Sequence, residues 1–124
     1  MFYRYPLRGG GRVPWNVTFH YGTSVKVKSV LERDVAEWLT EHEVPWLYEP
    51  DTIKLANGRR YTPDFRVGYF FYIEVKYPVQ GDAVIGSQFY RRDLQSVELL
   101  REKGVRVEVV RSIEDLESLF GKRG

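Results

Sequence analysis

One stretch of the sequence, YTPDFRVGYFFYIEVK, covers residues 61–76 and decides the fold. Aromatic and β-branched residues dominate it, which is typical of buried strands. Gly68 divides the stretch, so we predict two strands, Arg59 to Val67 and Tyr69 to Lys76. A tight turn at this glycine would make the two strands antiparallel neighbours in one sheet.

Three charged side chains in this stretch are predicted to share one face of the sheet. Side chains two apart on a strand point to the same side, so Glu74 and Lys76 project together. Ile73 and Val75 then point the other way, into the core. If the two strands pair through the turn, Asp64 comes close to Glu74. The pattern predicts two carboxylates and one ammonium group in a small patch.

The segments around this stretch predict helices and further strands. Ser29 is a typical helix N-cap with Glu32 as its capping-box partner, which predicts a helix from Val30 to His42. Asn57-Gly58 indicates a hairpin with a type I′ turn, because both residues tolerate positive φ angles. The remaining predicted elements are strands at Val13–Tyr21, Val25–Lys28, Trp46–Glu49, Thr52–Leu55 and Val105–Val110, and helices at Ser87–Lys103 and after Ser112.

This element order predicts an α/β protein with a mixed central β-sheet flanked by helices, in the order α-β-β-β-α-β. The chain has 124 residues, 43% of them hydrophobic, which suits one globular domain. It has no cysteine, which excludes disulfides and Cys-based zinc sites. It has no long apolar run, so we expect no membrane-spanning segment. No signal peptide is recognisable at the N-terminus, and we expect a cytoplasmic, intracellular protein.

Charge is distributed unevenly along the chain. From Glu32 onward there are 14 basic and 17 acidic residues, whereas residues 1–28 contain no acidic residue at all. This arm is also rich in aromatic residues, so we interpret it as a contact for nucleic acid, or else as a solvated terminus. Its five basic residues are Arg4, Arg8, Arg12, Lys26 and Lys28. We divide the chain into this arm and a domain at residues 29–124.

The patch formed by Asp64, Glu74 and Lys76 is suited to phosphodiester hydrolysis. Carboxylate oxygens are the preferred ligands of Mg²⁺, and Mn²⁺ accepts the same ligands. A bound metal acidifies water and stabilises the charge that builds on the phosphate. Lys76 could orient or deprotonate the attacking water, or stabilise the transition state. The main-chain carbonyl of Val75 is a further candidate metal ligand.

The spacing of these residues resembles the PD-(D/E)XK nuclease signature, here as Pro63-Asp64, nine residues, then Glu74-Val75-Lys76. The predicted element order is similar to the restriction-endonuclease-like core of that superfamily. The resemblance spans roughly Ser29 to Val110. It implies that Asp64 and Glu74 bind metal and that Lys76 is catalytic. It also implies that Glu32, on the first helix, contributes to a second metal or its water.

Finer similarities point to two branches of the superfamily. The helix start at Ser29 and the segments Trp46–Pro50 and Tyr61–Phe65 resemble phage junction-resolving endonucleases. They also resemble the end-cleaving nuclease subunit of heteromeric transposases. The resemblance and the small size favour a virus or mobile element as the source.

Each candidate residue also has a purely structural interpretation. Asp64 could bind nearby backbone, and Glu74 and Lys76 could lie on a solvated strand face or form a cross-strand salt bridge worth about 0–1 kcal/mol. Glu32 could serve only the capping box. Further side chains have open roles: Glu49 could support the site or face solvent, and Gln88, Arg91 and Arg92 could contact DNA or solvent.

The resulting expectation is a Mg²⁺-dependent endodeoxyribonuclease, with Mn²⁺ as a substitute and no organic cofactor. Its substrate would be branched DNA such as a Holliday junction, as in a resolvase acting in DNA recombination. Cutting two strands calls for two active sites, so we expect a homodimer. The alternatives are a transposase-type or repair-type DNA nuclease, an RNA nuclease, or a non-catalytic nucleic-acid-binding module with the same fold.

Overall fold

The computed structural model describes residues 14–68, 71–77 and 88–121, with the side chains of 88–90 left undescribed. Arg4, Arg8, Arg12 and the Gln88 side chain therefore lie outside the described part. The strands are β1 (Val17–His20), β2 (Thr23–Lys26), β3 (Trp46–Tyr48), β4 (Ile53–Lys54), β5 (Arg60–Tyr61), β6 (Phe65–Val67), β7 (Phe71–Val75) and β8 (Val107–Val110). The helices are α1 (Val30–Glu41), α2 (Gln88–Glu102) and α3 (Ile113–Phe120).

The central sheet is mixed and has the strand order β3-β6-β7-β8. β6 pairs antiparallel with both β3 and β7, and Phe65 lies opposite Ile73. β7 pairs parallel with β8, with Tyr72 aligned to Val107. A parallel neighbour requires a crossover, and α2 lies in the connection between the two strands. The prediction of an α/β chain with a mixed sheet is confirmed.

Helices cover the two faces of this sheet. On one face, α1 and α3 pack on β6 and β7 through fully buried side chains, among them Leu39, Phe65, Ile73 and Leu116. On the other face, a second cluster joins α2 to β5 and β8. It contains Leu55, Tyr61, Val97, Leu100 and Val107. The α1 side of the sheet is therefore packed with apolar side chains, whereas on the other side the cover lies around β8, and Leu47 of β3 and Arg66 of β6 remain partly exposed.

α1 begins where the capping pattern predicts. The Ser29 hydroxyl accepts the Glu32 backbone N–H at 3.1 Å, and Ser29 itself is extended. The helix ends at Glu41, one residue earlier than predicted, and the His42 N–H donates to the Trp38 carbonyl at 3.0 Å. This start fixes the first turn of α1 against the sheet.

The predicted type I′ turn at Asn57-Gly58 is wrong. Such a turn needs positive φ at both residues, and only Gly58 has it, at 87°. The Gly58 N–H donates to the Leu55 carbonyl at 2.9 Å, and the Leu55 N–H donates to the Arg59 carbonyl at 2.7 Å, which closes a loop of three residues, 56–58, between β4 and β5. This is a type I turn followed by a left-handed glycine, the usual geometry for a loop of that length.

The continuous strand predicted from Arg59 to Val67 is also wrong. It breaks at residues 62–64, giving β5 and β6, which belong to different sheets. Pro63 has no N–H to give to a ladder, and it precedes Asp64 at the break. The interruption leaves Asp64 outside regular pairing, just before β6.

The hairpin of β1 and β2 belongs to the sequence that we assigned to the arm. It packs against α1, and Thr18 and Val27 are buried there. The Arg33 guanidinium donates to the Pro14 carbonyl at 3.1 Å, which fastens the start of the hairpin to the helix. Of the helices in the described ranges, none combines the length and apolar character needed to cross a membrane.

Candidate active site

The site lies where β6 and β7 separate. Their ladder ends at Phe65 and Ile73, and the next β7 donor, the Val75 N–H, binds the Asp64 carboxylate at 2.7 Å. The Asp64 carbonyl accepts the Glu49 N–H at 2.8 Å. Asp64 is therefore held by backbone donors from both neighbouring segments of chain. The structural interpretation of Asp64 as a backbone acceptor thus describes one part of its environment.

A polar cavity of about 460 Å³ opens at this point. The four residues singled out from the sequence, Glu32, Asp64, Glu74 and Lys76, all line it, together with Val75. They come from α1, the break before β6, and the end of β7. The other lining residues are Lys28, Glu49, Arg60, Tyr61, Thr62 and Asp93.

Glu74 is held between a hydroxyl and an ammonium group. The Tyr61 hydroxyl donates to its Oε1, and the Lys76 Nζ lies 3.7 Å from its Oε2. Glu74 is only 4% exposed, so this is a buried arrangement rather than a solvated strand face. The two-residue spacing brings Glu74 and Lys76 to the same cavity, although Lys76 lies one residue beyond β7.

Glu32 contacts the start of α1 and also lines the cavity, but the reciprocal half of the predicted capping box is replaced, because its carboxylate accepts the N–H of Lys28 rather than that of Ser29. Its Oε1 accepts the Lys28 backbone N–H at 2.7 Å, one residue before the Ser29 N-cap, and so it completes the start of α1. The same oxygen accepts the Tyr48 hydroxyl at 3.0 Å. The carboxylate is 5% exposed and still lines the cavity. Capping and membership of the site are therefore compatible.

Burial and repulsion between like charges raise the pKa values of Asp64 and Glu74. Burial is the main cause for Asp64, and the charges of Glu74 and Glu32 raise its pKa further. Burial also raises the pKa of Glu74, although the Tyr61 hydrogen bond and Lys76 oppose this. Burial beside Glu74 raises the pKa of Tyr61, which keeps its hydroxyl a donor. The cavity therefore favours an added positive charge.

The donor set fits a hard divalent cation in its chemistry. Protein donors occupy one oxygen of each carboxylate, namely Glu32 Oε1, Asp64 Oδ2 and Glu74 Oε1. The second oxygens of Glu32 and Asp64 are then the ones suited to a cation, whereas Glu74 Oε2 already lies 3.7 Å from the Lys76 ammonium group. Within the described ranges, no three Asp, Glu or His side chains already converge as a metal-binding group. The residues that would hold Mg²⁺ are thus neighbours around a cavity rather than a closed cage.

Two cationic residues stand at the rim. Lys28 is 74% exposed along its side chain, and its Nζ lies 2.8 Å from Glu49 Oε2. This hydrogen bond with Glu49 raises the pKa of Lys28. Arg60, on β5, is exposed and lines the cavity as well. Glu49 has a positive φ of 49°, unusual for a residue other than glycine, which turns the chain at the cavity.

The other basic residues considered for DNA binding lie farther out. Lys26 is exposed at the end of β2, and Arg91 and Arg92 are exposed on α2. None of these three lines the cavity. Of the basic residues assigned to the arm, the structure brings only Lys28 to the site within the described chain.

Sequence reasoning missed Tyr48, Tyr61, Arg60 and Asp93. The two tyrosines look like ordinary strand residues, because their hydroxyl partners are distant in sequence. Asp93 carries a signal that could have revealed it. It lies four residues before the buried Val97 on α2, and therefore on the helix face that packs against the sheet. An acidic residue on such a face needs a partner.

Comparison of the chain with protein-family models, with curated proteins and with solved structures gave no match. Function is therefore inferred from the geometry of the cavity and from the sequence pattern.

Proposed function

We propose that this protein is a metal-dependent endodeoxyribonuclease. One observation carries the proposal: Glu32, Asp64, Glu74 and Lys76, from three separate segments of the chain, line a single polar cavity. Burying like charges close together destabilises the fold unless a cation neutralises them, and such groups are common at functional sites. The same residues resemble the PD-(D/E)XK signature, and this resemblance indicates phosphodiester hydrolysis as the reaction.

In the proposed reaction, a water oxygen forms a bond to phosphorus while a phosphorus–oxygen bond to the sugar breaks. The water loses a proton, and the leaving sugar oxygen gains one. Glu32, Asp64, Glu74 and the Val75 carbonyl would hold Mg²⁺ or Mn²⁺, which supplies charge neutralisation and a more acidic water. Lys76 would orient the water or donate to a phosphate oxygen. Tyr48 and Tyr61 would keep Glu32 and Glu74 in place.

Branched DNA is the proposed substrate, cut by a homodimer with two such sites. The choice of branched DNA as substrate rests on the resemblance to junction-resolving endonucleases. Exposed cations at the rim, Lys28 and Arg60, suit the phosphates of any nucleic acid. A transposase-type or repair-type DNA nuclease would use the same groups on other substrates.

Metal-dependent cleavage is the decisive test. Wild-type protein with Mg²⁺ or Mn²⁺ is expected to cut labelled DNA, tested as four-way junction, nicked duplex and linear duplex. Asp64→Ala removes a proposed metal ligand and Lys76→Ala removes the ammonium group, so both variants should lose cleavage by about 1000-fold or more. The readout is the initial rate on a denaturing gel.

The pattern of cuts then distinguishes the candidate functions. Paired, symmetric cuts in the junction alone support a dimeric resolvase. Cutting of all three substrates supports a nuclease without junction preference. If the folded wild-type protein binds junctions but cuts nothing with either metal, the proposal is wrong and the fold serves binding.

Arg60→Ala is expected to weaken DNA binding with little effect on metal binding. A side chain that neutralises one phosphate releases about one counterion, so the slope of log K against log salt should decrease in magnitude by about 1. Binding would be measured by fluorescence anisotropy with labelled DNA over a series of salt concentrations, in Ca²⁺.

Arg106→Ala is the matched control for this experiment. Arg106 is also a partly exposed arginine, but it pairs with Glu108 at 2.9 Å on β8 and does not line the cavity. Its salt slope should equal that of the wild type. An unchanged slope for Arg60→Ala would remove Arg60 from the phosphate contacts.

A further inference from the structure

Asp93 connects α2 to the lysine of the site. It belongs to the second turn of α2, and its carboxylate Oδ2 directly contacts the Lys76 Nζ. The Lys76 side chain is 16% exposed and that of Asp93 is 34% exposed. Both residues line the cavity. The contact is therefore partly sheltered from solvent and lies beside the three carboxylates.

The ammonium group of Lys76 depends on side chains for its position. The backbone of Lys76 is fixed, since its N–H donates to the Val110 carbonyl at 2.9 Å. Four flexible methylene groups separate that backbone from Nζ, so an ordered backbone does not by itself fix the position of the ammonium group. Glu74 Oε2 is 3.7 Å away, close to the limit of an ion pair, whereas Asp93 is in direct contact.

We propose that Asp93 is a positioning residue, which directs the Lys76 ammonium group towards the cavity. The inference rests on the proposed nuclease function and deepens it. Lys76 directly follows β7, whereas Asp93 lies on α2, the next helix along the chain. Val97 and Leu100 pack α2 against the core and so hold Asp93 in place. Asp93 in turn holds the Lys76 ammonium group.

The chain offers a matched control in Asp51. Its Oδ2 binds the Arg66 guanidinium at 2.7 Å, and its side chain is 32% exposed, close to the value for Asp93. Asp51 therefore also pairs with a cation at a similar depth, Arg66 on β6, but it does not line the cavity. Asp93→Asn and Asp51→Asn each remove one such ion pair, and only the former involves Lys76.

The first measurement is the reactivity of Lys76 in the full-length, metal-free protein. Reductive methylation for short times, followed by mass spectrometry, reports how accessible each lysine amine is. Asp93→Asn should increase the labelling rate of Lys76 several-fold, while Asp51→Asn should leave it at the wild-type value. Equal Lys76 labelling in all three proteins would overturn the inference, whatever their activities.

The second measurement is steady-state cleavage. Asp93→Asn is expected to lower kcat by tenfold to about a hundredfold, since a displaced catalytic group costs this much. The KM for DNA and the dependence on Mn²⁺ concentration should not change. Asp93→Glu, which restores the charge, should recover part of kcat. A kcat equal to wild type in Asp93→Asn, with Lys76→Ala inactive, would overturn the positioning role.

The two measurements separate the inference from the proposed function. If the wild type cleaves nothing but Lys76 labelling still rises in Asp93→Asn, the contact holds and the nuclease proposal fails. If Asp93→Asn instead shifts the Mn²⁺ dependence, Asp93 acts as a metal ligand and the positioning role is wrong.

Discussion

Asp64→Asn is expected to abolish cleavage and at the same time to stabilise the metal-free fold. The Asn side chain can still accept the Val75 N–H through its amide oxygen, so the local structure should persist. It removes a buried negative charge that lies among the like charges of Glu74 and Glu32. Loss of a proposed metal ligand should lower the cleavage rate by about 1000-fold or more.

The stabilisation should grow with pH. In the folded chain, the pKa values of Asp64 and Glu74 lie above their ordinary values of 3.8 and 4.5. The folded state therefore binds protons more tightly than the unfolded state. This contribution to stability is present below the ordinary pKa values and is lost as the pH rises through the raised ones. The wild type should suffer this loss at both residues, and Asp64→Asn only at Glu74.

Thermal unfolding in EDTA at about pH 5.5 and about pH 8.5 would measure the effect. The Tm of Asp64→Asn should exceed that of the wild type at the higher pH, by roughly 4 °C for each kcal/mol added to the free energy of unfolding. Mn²⁺ should raise the Tm of the wild type more than that of the variant, because the cation would neutralise the Asp64 carboxylate, which the variant lacks.

Asp51→Asn supplies a control with the opposite sign. Hydrogen bonds from Tyr72 and Arg66 hold the pKa of Asp51 below its ordinary value. Asp51 therefore stabilises the fold above that value, and its replacement should lower the Tm at neutral pH. If Asp64→Asn also lowers the Tm in EDTA at the higher pH, the buried carboxylates are not under the repulsion described above.

Phe65→Ala is expected to give the largest loss of stability. Phe65 is fully buried, and its ring packs edge-on against Trp46 and Tyr48, with centroid distances of 5.6 and 5.3 Å. Its removal leaves a cavity in the centre of the sheet, which costs about 3–5 kcal/mol of unfolding free energy. It also removes packing beneath Tyr48, the partner of Glu32.

Urea unfolding would measure this loss, with Leu47→Ala as the control. Leu47 lies on β3 between Trp46 and Tyr48 and is 43% exposed. Its replacement should change the free energy of unfolding by no more than about 0.5 kcal/mol. A loss below about 1 kcal/mol for Phe65→Ala would contradict the packing described around β6.

Local chemistry explains which parts of the fold could be predicted. The Ser29 hydroxyl begins α1 through a contact three residues away, and an alternating pattern places Ile73 and Glu74 on opposite faces of β7. Both signals are short-range, so they are visible in the sequence. The broken strand was missed because the β-branched and aromatic residues around Pro63 outweighed its lack of an N–H.

Long-range partners explain what could not be predicted of the site. Tyr61 reaches Glu74 across 13 residues, Tyr48 reaches Glu32 across 16, and Lys76 reaches Asp93 across 17. No periodicity relates the members of such pairs. The sequence indicated the acidic groups through their positions on candidate elements, whereas the side chains that hold them become visible only when the sheet and helices are assembled.

The parallel pairing of β7 with β8 has a consequence for how activity would arise during folding. It aligns Tyr72 with Val107 and brings the Val110 carbonyl to the N–H of Lys76. Contacts between residues this far apart in sequence form slowly, because a long loop must close first. A chain that has folded only as far as the β6–β7 hairpin would carry Asp64 and Glu74 together, but would leave Lys76 without its anchor. The proposed cleavage activity should therefore appear last during refolding, after most of the native spectroscopic signal has returned.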